Sequence, residues 1–306
     1  MPADPIGVVK RELLVRQLDS WGLAALHRSR RATFAQAYAG PDGGIADAAV
    51  RVFTEFADLL RGRRLTVLTL AARADDPAVR LGAAEAGIPA EVAVHLMPGD
   101  LERLPVALKA ASAAGGPVLA YLDAARGPAP SPGTLAAVAT GRPAEVLLAL
   151  GPAARAGLDH RRALNHAGFP LVTEVELVAD TRAEPELVVF ATASGKRLDG
   201  FKDVLWAVDE YAGVRYRDPG DPEEHLLDIS LAPHPGPLRR ELLARLADVG
   251  RCSVTELRQF TAERTVYRAA DTNRVLTALL AAGLVSRDPA PGRLSGDVTI
   301  VAVPPA

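Results

Sequence analysis

The sequence contains few of the residues that build disulfide frameworks and metal sites. Its 306 residues include a single cysteine, Cys252, which excludes a disulfide framework and a zinc site built from cysteines. We expect this thiol to be free and buried in a reducing, cytoplasmic compartment. The six histidines show no metal-ligand spacing, so the sequence predicts no metal site.

Long apolar runs and two common catalytic signatures are also missing. No uncharged run reaches the roughly 20 residues that cross a bilayer, and residues 1–10 lack the apolar core of a signal peptide. Ser194-Gly195-Lys196 lacks the upstream glycine of a Walker phosphate loop, and no Gly-x-Ser-x-Gly nucleophile elbow occurs. We therefore expect an intracellular protein that makes no membrane contact.

Length and charge indicate one large and one small domain. Of the chain, 49% is apolar, which is enough for a sizeable buried core. Residues 232–306 carry 10 arginines, no lysine and 7 acidic residues, whereas the whole chain has a net charge of −2. A basic tail on an acidic body is compatible with a nucleic-acid contact and equally with an ordinary solvated surface.

Apolar segments that alternate with helical segments dominate the first half of the chain. After an amphipathic helix over residues 8–26, five apolar segments are typical of strands: Ala32–Tyr38, Leu65–Leu70, Glu91–Leu96, Val118–Leu122 and Glu145–Leu150. Strands that alternate with helices at this period favour a parallel sheet covered by helices on both faces.

Two later segments differ because only a short turn joins them. Val172–Ala179 and Leu187–Thr192 are expected to pair antiparallel, since a parallel crossover needs a dozen or more residues. Five parallel strands closed by an antiparallel hairpin are the architecture of class I S-adenosylmethionine-dependent methyltransferases. The sequence therefore predicts an α/β, Rossmann-like domain of this type over residues 1–231.

The chain becomes rich in proline, glycine and acidic residues around Asp218–Pro222 and Pro233–Pro237, which we interpret as a linker. Residues 232–306 are predicted to form a small second domain. Three helical segments come first: Leu238–Val249, Val254–Thr261 and Arg268–Ala282. Together with the β-hairpin that follows them, they have the plan of a winged helix. The third helix would present Arg268, Asn273 and Arg274 to a nucleic acid.

A glycine-rich turn after the first strand is the candidate cofactor loop. The run from Thr33 to Gly44 combines a strand, a tight turn and a helix start, which seats nucleotide-like cofactors in doubly wound folds. Glycines let the backbone approach such a ligand, and S-adenosylmethionine is the predicted one. The predicted contacts in this run are Gln36, Tyr38, Gly40, Gly43 and Gly44.

Three further carboxylates follow strand ends, where ligands bind in open α/β sheets. Asp123, at the end of the fourth strand, is the predicted catalytic residue, because a group there can orient a target amine toward a methyl group. Asp75 and Asp100 follow the second and third strands and are predicted cofactor contacts. For Asp100, and for Asp76 beside Asp75, helix capping is the alternative role.

Short motifs in a fixed order resemble those of the three-Cys-motif partner proteins. The matching segments run along most of the chain: Lys10 and Trp21, Tyr38-Ala39-Gly40-Pro41, Tyr121-Leu122-Asp123-Ala124, Glu145-Val146-Leu147, Phe190-Ala191-Thr192, Lys202 with Asp203 and Trp206, Thr265-Val266-Tyr267, and Leu279–Gly283. The resemblance implies the methyltransferase-like fold, a candidate site and a three-cysteine-motif protein as partner. It implies no particular reaction.

The sequence departs from the family pattern at positions that matter for chemistry. The family's loop has the pattern Asp-x-Phe-Ala-Gly-x-Gly, and here Gln36 replaces its acidic residue and Asp42 its second glycine. Ala124 replaces a proline, and Ser194 stands where a histidine is expected. Three functions stay open: an S-adenosylmethionine-dependent methyltransferase, a non-catalytic partner or regulatory protein with a degenerate site, and a DNA-binding protein acting through residues 232–306.

Overall fold

A nine-stranded sheet organises the larger part of the protein. The computed structural model of the chain describes residues 4–40, 44–71, 87–180, 183–208, 213–290 and 292–303. The strands lie side by side in the order β3-β2-β1-β4-β5-β7-β6-β8-β9. In chain order they are β1 (Arg31–Tyr38), β2 (Arg64–Ala71), β3 (Val92–Pro98), β4 (Val118–Ala124), β5 (Ala144–Leu150), β6 (Leu171–Ala179), β7 (Glu186–Thr192), β8 (Val214–Arg217) and β9 (Leu226–Asp228).

The first five strands are parallel, and the hairpin of β6 and β7 closes them on one side. β1 pairs with β2 and β4, β2 pairs with β3, and β4 pairs with β5, all in parallel. β7 lies antiparallel between β5 and β6. The predicted Rossmann-like, methyltransferase-type sheet is confirmed by this strand order and by the reversed strand inserted beside β5.

Two short strands extend the sheet beyond the predicted hairpin. β8 and β9 pair antiparallel with β6 and with each other. The sequence predicted a linker around residues 218–222, but Asp218 is only 3% exposed. Its carboxylate accepts the N–H groups of Gly220 and Val266. This segment therefore forms a hydrogen-bonded turn in which Asp218 and Asp221 are buried while Pro219, Gly220 and Pro222 are exposed.

Helices pack on both faces of the sheet. They are α1 (Pro5–Arg28), α2 (Ile45–Val52), α3 (Ala57–Leu60), α4 (Leu104–Ala110), α5 (Pro132–Val138), α6 (Pro152–Ala156), α7 (His160–Ala167) and α8 (Gly195–Trp206). Alternate residues of β1 enter separate apolar cores, with Phe34 in one and Ala35 in the other. Helix α1 begins at its N-cap Asp4, whose carboxylate accepts the Gly7 N–H, and its apolar side is buried around Trp21.

Residues 236–303, called the C-terminal module below, form three helices and a small sheet. The helices are α9 (Gly236–Val249), α10 (Val254–Arg264) and α11 (Ala269–Ala281), and the strands are β10 (Arg251–Ser253), β11 (Val285–Asp288) and β12 (Thr299–Ala302). The small sheet is antiparallel, in the order β10-β12-β11. Ser253 and Glu256 form a capping box that starts α10, and Cys252 beside them is buried.

Buried side chains of the large domain hold the turn between α10 and α11. Lys202 donates to the Thr265 carbonyl, and Trp206 Nε1 donates to the Val266 carbonyl at 3.0 Å. The Asp218 carboxylate accepts the Val266 N–H at 2.6 Å. These five residues, called the joint below, fasten the C-terminal module through the backbone of a single turn.

Candidate functional site

The loops that follow β1 and β4 lie side by side at the carboxyl edge of the sheet. Tyr38 and Asp123 are aligned in the register of β1 and β4, and the Ala39 N–H donates to the Asp123 carbonyl at 2.9 Å. A Cβ on Gly40 would stand 3.2 Å from the Cβ of Arg126, so glycine allows the two loops this close approach. The predicted cofactor loop and the predicted catalytic residue therefore meet at one place.

Asp123 is buried at this edge, and both of its oxygens have partners. Oδ2 accepts hydrogen bonds from Lys10 Nζ at 3.0 Å and from the Tyr121 hydroxyl at 2.9 Å. Oδ1 accepts the Ala125 N–H at 3.0 Å, and only 8% of the residue is exposed. Three of the roughly four acceptor positions of a carboxylate are thus filled from within the protein.

Lys10 reaches this edge from α1 and pairs with two carboxylates. Its Nζ lies 3.0 Å from Asp123 Oδ2 and 2.6 Å from Oε2 of Glu186, which begins β7. Burial by itself lowers the pKa of Lys10, but the two carboxylates outweigh burial and raise that pKa above its ordinary value. Lys10 is therefore a cation at neutral pH and compensates the buried negative charge.

Burial also shifts the other two members of this group. It raises the pKa of Glu186, an effect that Lys10 opposes. Burial, and after it the charge of Asp123, raise the pKa of Tyr121, so this side chain stays a neutral hydroxyl donor. Lys10, Tyr121, Asp123 and Glu186, called the Lys10 cluster below, hold the start of α1 against the carboxyl edge.

Gln36 and Tyr38 face the interior of the protein. Both are 0% exposed. The Gln36 amide donates to the Ala46 carbonyl at 3.2 Å and to the Thr69 hydroxyl at 2.9 Å, and its oxygen accepts the Tyr38 hydroxyl at 2.8 Å. In this structure the two predicted cofactor contacts connect β1 to β2 and to the first turn of α2.

The remaining predicted cofactor residues are spread over several loops. Gly44 precedes α2 with a φ of 86°, a left-handed conformation that favours glycine. Asp100 is exposed, and its carboxylate accepts the Glu102 N–H at 3.1 Å, which is the capping role described as its alternative. Gly43 and Asp75, together with Asp76, lie outside the described residues.

The three side chains predicted to face nucleic acid make contacts inside the protein. Arg268 donates to the Leu231 carbonyl at 2.8 Å, and Arg274 donates to the Pro233 carbonyl at 3.1 Å. Asn273 accepts a hydrogen bond from a neighbouring arginine at 3.0 Å. The two arginine bonds use part of the donor capacity that contacts to phosphate would need.

Glu186 is the member of the Lys10 cluster that sequence reasoning missed. The available signal was a carboxylate at the start of an otherwise apolar strand. Because β7 runs against β5, its first residue lies at the edge where the parallel strands end.

Within the described residues, no group of three or more His, Cys, Asp or Glu could hold a metal ion. Across the same ranges, no helix has the length and apolar character needed to cross a bilayer.

Comparison with known proteins yields likeness in fold only. No family model and no curated protein matches the chain. Among solved structures it is similar to an rRNA methylase from Streptococcus thermophilus, at 12% identity and a TM-score of 0.33, over 63% of this chain and 99% of that one. It is also similar to the METTL16 MTase domain, at 15% identity and a TM-score of 0.33, over 57% of this chain and 66% of that one. The fold assignment stands on the strand order.

Proposed function

We propose that this chain is a methyltransferase-fold protein related to the three-Cys-motif partner proteins, with a degenerate methyl-transfer site. The observation that carries the proposal is the sheet order, which brings the turn at Gly40 and the carboxylate of Asp123 to one edge. Degeneracy is supported by the partners of Asp123, because Lys10 and Tyr121 occupy the oxygen that would orient a target amine. The core position of Gln36 supports it as well.

S-adenosylmethionine fits this edge in part. Gly40, Gly44 and the first turn of α2 would face its methionine half, where backbone N–H groups bind negative charge. A carboxylate for the ribose diol is missing from the described residues at the ends of β1 and β2, which reach as far as Gly40 and Ala71. The cofactor would supply the transferable methyl group. The described residues at this edge of the sheet would orient that methyl group weakly.

A cofactor titration tests this proposal. We expect no saturable heat when S-adenosylmethionine or S-adenosylhomocysteine is titrated into the protein at high concentration in a calorimeter. The Gly40→Trp variant, which fills the turn, serves as the blank and is expected to give the same trace. Saturable binding to the wild type that Gly40→Trp abolishes would overturn the degenerate site and favour an active methyltransferase.

A non-catalytic partner role follows if the titration is silent. The resemblance supports a three-cysteine-motif protein as that partner. We expect the two proteins to elute together in size-exclusion chromatography when they are co-expressed. Separate elution, with both proteins folded, would remove the partner role and leave only the fold assignment.

The C-terminal module supplies a second candidate function. Its order of helix, strand, two helices and hairpin, with strands in the order β10-β12-β11, supports a winged-helix assignment and hence DNA binding through α11. Gel shifts of the full chain at increasing salt test this role. Replacing Arg268 and Arg274 by alanine is expected to weaken a shift that is stronger at low salt. An unchanged shift excludes α11 as the contact.

A further inference from the structure

Two arginine-rich turns meet at the amino edge of the sheet, the edge opposite Asp123. The first joins α1 to β1, and the second joins α3 to β2. Their six arginines, called the amino-edge patch, are Arg28, Arg30, Arg31, Arg61, Arg63 and Arg64. The parallel register aligns Arg31 with Arg64, and the Arg64 N–H donates to the Arg30 carbonyl at 2.8 Å. The fold therefore concentrates positive charge in a chain whose net charge is −2.

The guanidinium groups of this patch are largely available. Arg31 and Arg64 are exposed, and their guanidinium groups have no hydrogen bond or ion pair to any residue in the described ranges. Arg61 pairs with Asp58 at 3.0 Å, and Arg63 donates to a backbone carbonyl at 2.9 Å. Most of the positive charge of the patch thus lacks an ion-pair partner among the residues that the structure describes.

The alignment of Arg31 with Arg64 places two positively charged side chains next to each other on neighbouring strands. Neighbouring strands lie about 4.8 Å apart, so two side chains at aligned positions of parallel strands carry like charges close together. Both side chains are exposed, so solvent screens this repulsion, and Glu91 lies beside Arg64 on its other side when the register of β2 and β3 is continued by one residue. A bound anion between the two guanidinium groups would remove the repulsion, which gives the arrangement a physical use.

The same pair of arginines borders a polar cleft of about 320 Å³. Thr66 and His95 line it from the neighbouring strands, and Ser112 lines it from the loop after α4. Ser112 has a φ of 51°, in the left-handed region that residues other than glycine rarely adopt. Hydroxyl and guanidinium groups together are the donors that contact phosphate oxygens in nucleic-acid complexes.

The surroundings favour a nucleic acid over a membrane or a protein. Membrane-surface helices insert an apolar face into the bilayer, and the centres of protein interfaces are enriched in aromatic and other apolar side chains. The exposed large apolar residues in the described part of the chain are Leu23, Val106, Leu226, Leu231, Val249 and Val303. Of these, only Leu23 belongs to an element that contributes to the patch. A surface of arginines and hydroxyls without an apolar centre matches a phosphate backbone.

We propose that the amino-edge patch binds the phosphodiester backbone of a nucleic acid. The patch lies about 23 Å from Asp123, the length of an eight-residue strand. Nucleic acid held there would be anchored away from the carboxyl edge. This inference does not depend on whether the cofactor site is active, and it is separate from the predicted contact through α11.

Fluorescence anisotropy tests the patch. Labelled 20-nucleotide single strands and 20-base-pair duplexes, as DNA and as RNA, are titrated with the full chain at several salt concentrations. We expect the R31T/R64T variant to bind about tenfold more weakly and to lower the slope of log affinity against log salt by about 1.4 for a single strand. Its melting temperature should stay close to that of the wild type, because both arginines are exposed and their guanidinium groups have no partner among the described residues.

Two further variants make the result decisive. R162T/K196T removes the same charge from exposed positions elsewhere in the large domain, and it is expected to bind as the wild type does. R28T/R30T removes two arginines of the amino-edge patch that lie outside the strands. Its affinity for nucleic acid therefore tests the proposal even if R31T/R64T does not fold. Equal affinity and salt slope for wild type, R31T/R64T and R28T/R30T would overturn the proposal. So would equally tight binding of the wild type to phosphatidylserine vesicles or to a poly-glutamate peptide.

Discussion

At the scale of single residues, buried polar side chains connect the elements at the carboxyl half of the sheet through hydrogen bonds. Gln36 is buried among β1, β2 and α2, and both ends of its amide have partners there. The position that holds an acidic residue in the resembling family here holds a neutral donor and acceptor. Restoring a carboxylate would place charge where the protein offers carbonyl and hydroxyl oxygens.

We therefore expect Gln36→Glu to destabilise the fold. A glutamate cannot donate to the Ala46 carbonyl when ionised, and its buried charge lacks a cation, so the cost should be about 1–3 kcal/mol at pH 8. At pH 5 the acid is protonated and can again donate one hydrogen bond, so the cost should shrink. Urea unfolding at both pH values measures this. A stable variant that gains S-adenosylmethionine binding would show that this position contacts the cofactor.

Lys10 provides the second prediction at the scale of residues. It is the cation between the buried carboxylates of Asp123 and Glu186. Lys10→Met should lower the free energy of unfolding by about 3–5 kcal/mol, because it leaves buried negative charge without compensation. The exposed Lys109→Met variant is the control and should change little.

The origin of this cost can be checked by a second substitution. In Lys10→Met/Asp123→Asn, one uncompensated charge is gone, so part of the lost stability should return. Urea denaturation of the single and double variants gives the interaction energy. Purely additive effects would contradict the described ion pair.

Some of these residues could be predicted from sequence and others could not. Asp123 was identifiable because it ends an apolar strand in a parallel sheet. The partner of Lys10 on β7 depends on which strands β7 lies between, and the alignment of Arg31 with Arg64 depends on register. Neither pairing order nor register can be read from the local pattern of one strand, because both are set by contacts distant in sequence.

At the scale of elements, the long strands were predictable and the short ones were not. Four of the five parallel strands, β1, β2, β4 and β5, are buried on both faces along most of their length and therefore appear as nearly continuous apolar runs. β8 and β9 have four and three residues, and β9 has exposed residues on both sides of Leu227. A segment of three or four residues is too short to show the alternation of apolar and polar residues that identifies a strand. The turn between β8 and β9 is stabilised by the buried carboxylates of Asp218 and Asp221. These carboxylates accept hydrogen bonds from backbone N–H groups in the turn and from the distant Val266 N–H.

Helix α9 carries a titratable group that faces this turn. Burial, followed by the charges of Asp218 and Asp221, raises the pKa of Glu241 to about 8, against the opposing effect of Lys202. Its Oε1 is buried without a hydrogen-bond partner in the described ranges. The ordinary pKa of a glutamate is about 4.3. Between these two values the folded state binds more protons than the unfolded state.

Stability should therefore fall as pH rises from about 5 to about 8, by about 3 kcal/mol from this group. Glu241→Gln removes the titration and keeps the shape, so its stability should be less dependent on pH over that range. Thermal unfolding of both proteins at pH 5, 6, 7 and 8 provides the comparison. Parallel curves for wild type and variant would exclude Glu241 as the source.

At the scale of the whole molecule, the contacts of the joint determine whether the large domain and the C-terminal module unfold together. Lys202 is fully buried, and burial lowers its pKa to about 7, with Asp218 opposing. Either protonation state can donate to the Thr265 carbonyl. Trp206 packs against Tyr216 and Tyr267, one aromatic side chain from each part. The predicted boundary near residue 231 thus separates two chain segments that share buried contacts.

We expect the large domain and the C-terminal module to unfold in one cooperative transition. The reason is that undocking the module would expose Lys202, Trp206 and Asp218 together with the Val266 N–H, so each part stabilises the other while these contacts are intact. Calorimetric and van't Hoff enthalpies should agree for the wild type. Two resolved transitions in the wild-type scan would contradict this coupling.

Weakening the joint should separate the two parts. Trp206→Phe removes the indole donor to the Val266 carbonyl, and Asp218→Asn leaves one acceptor oxygen for two backbone N–H groups. The double variant should show two transitions, with the lower one assigned to the C-terminal module by hydrogen exchange. Trp21→Phe is the matched control, because the indole N–H of Trp21 has no hydrogen-bond partner in the described residues. It should lose some stability and still unfold once, since cooperativity between the parts depends on the joint and not on the number of buried tryptophans.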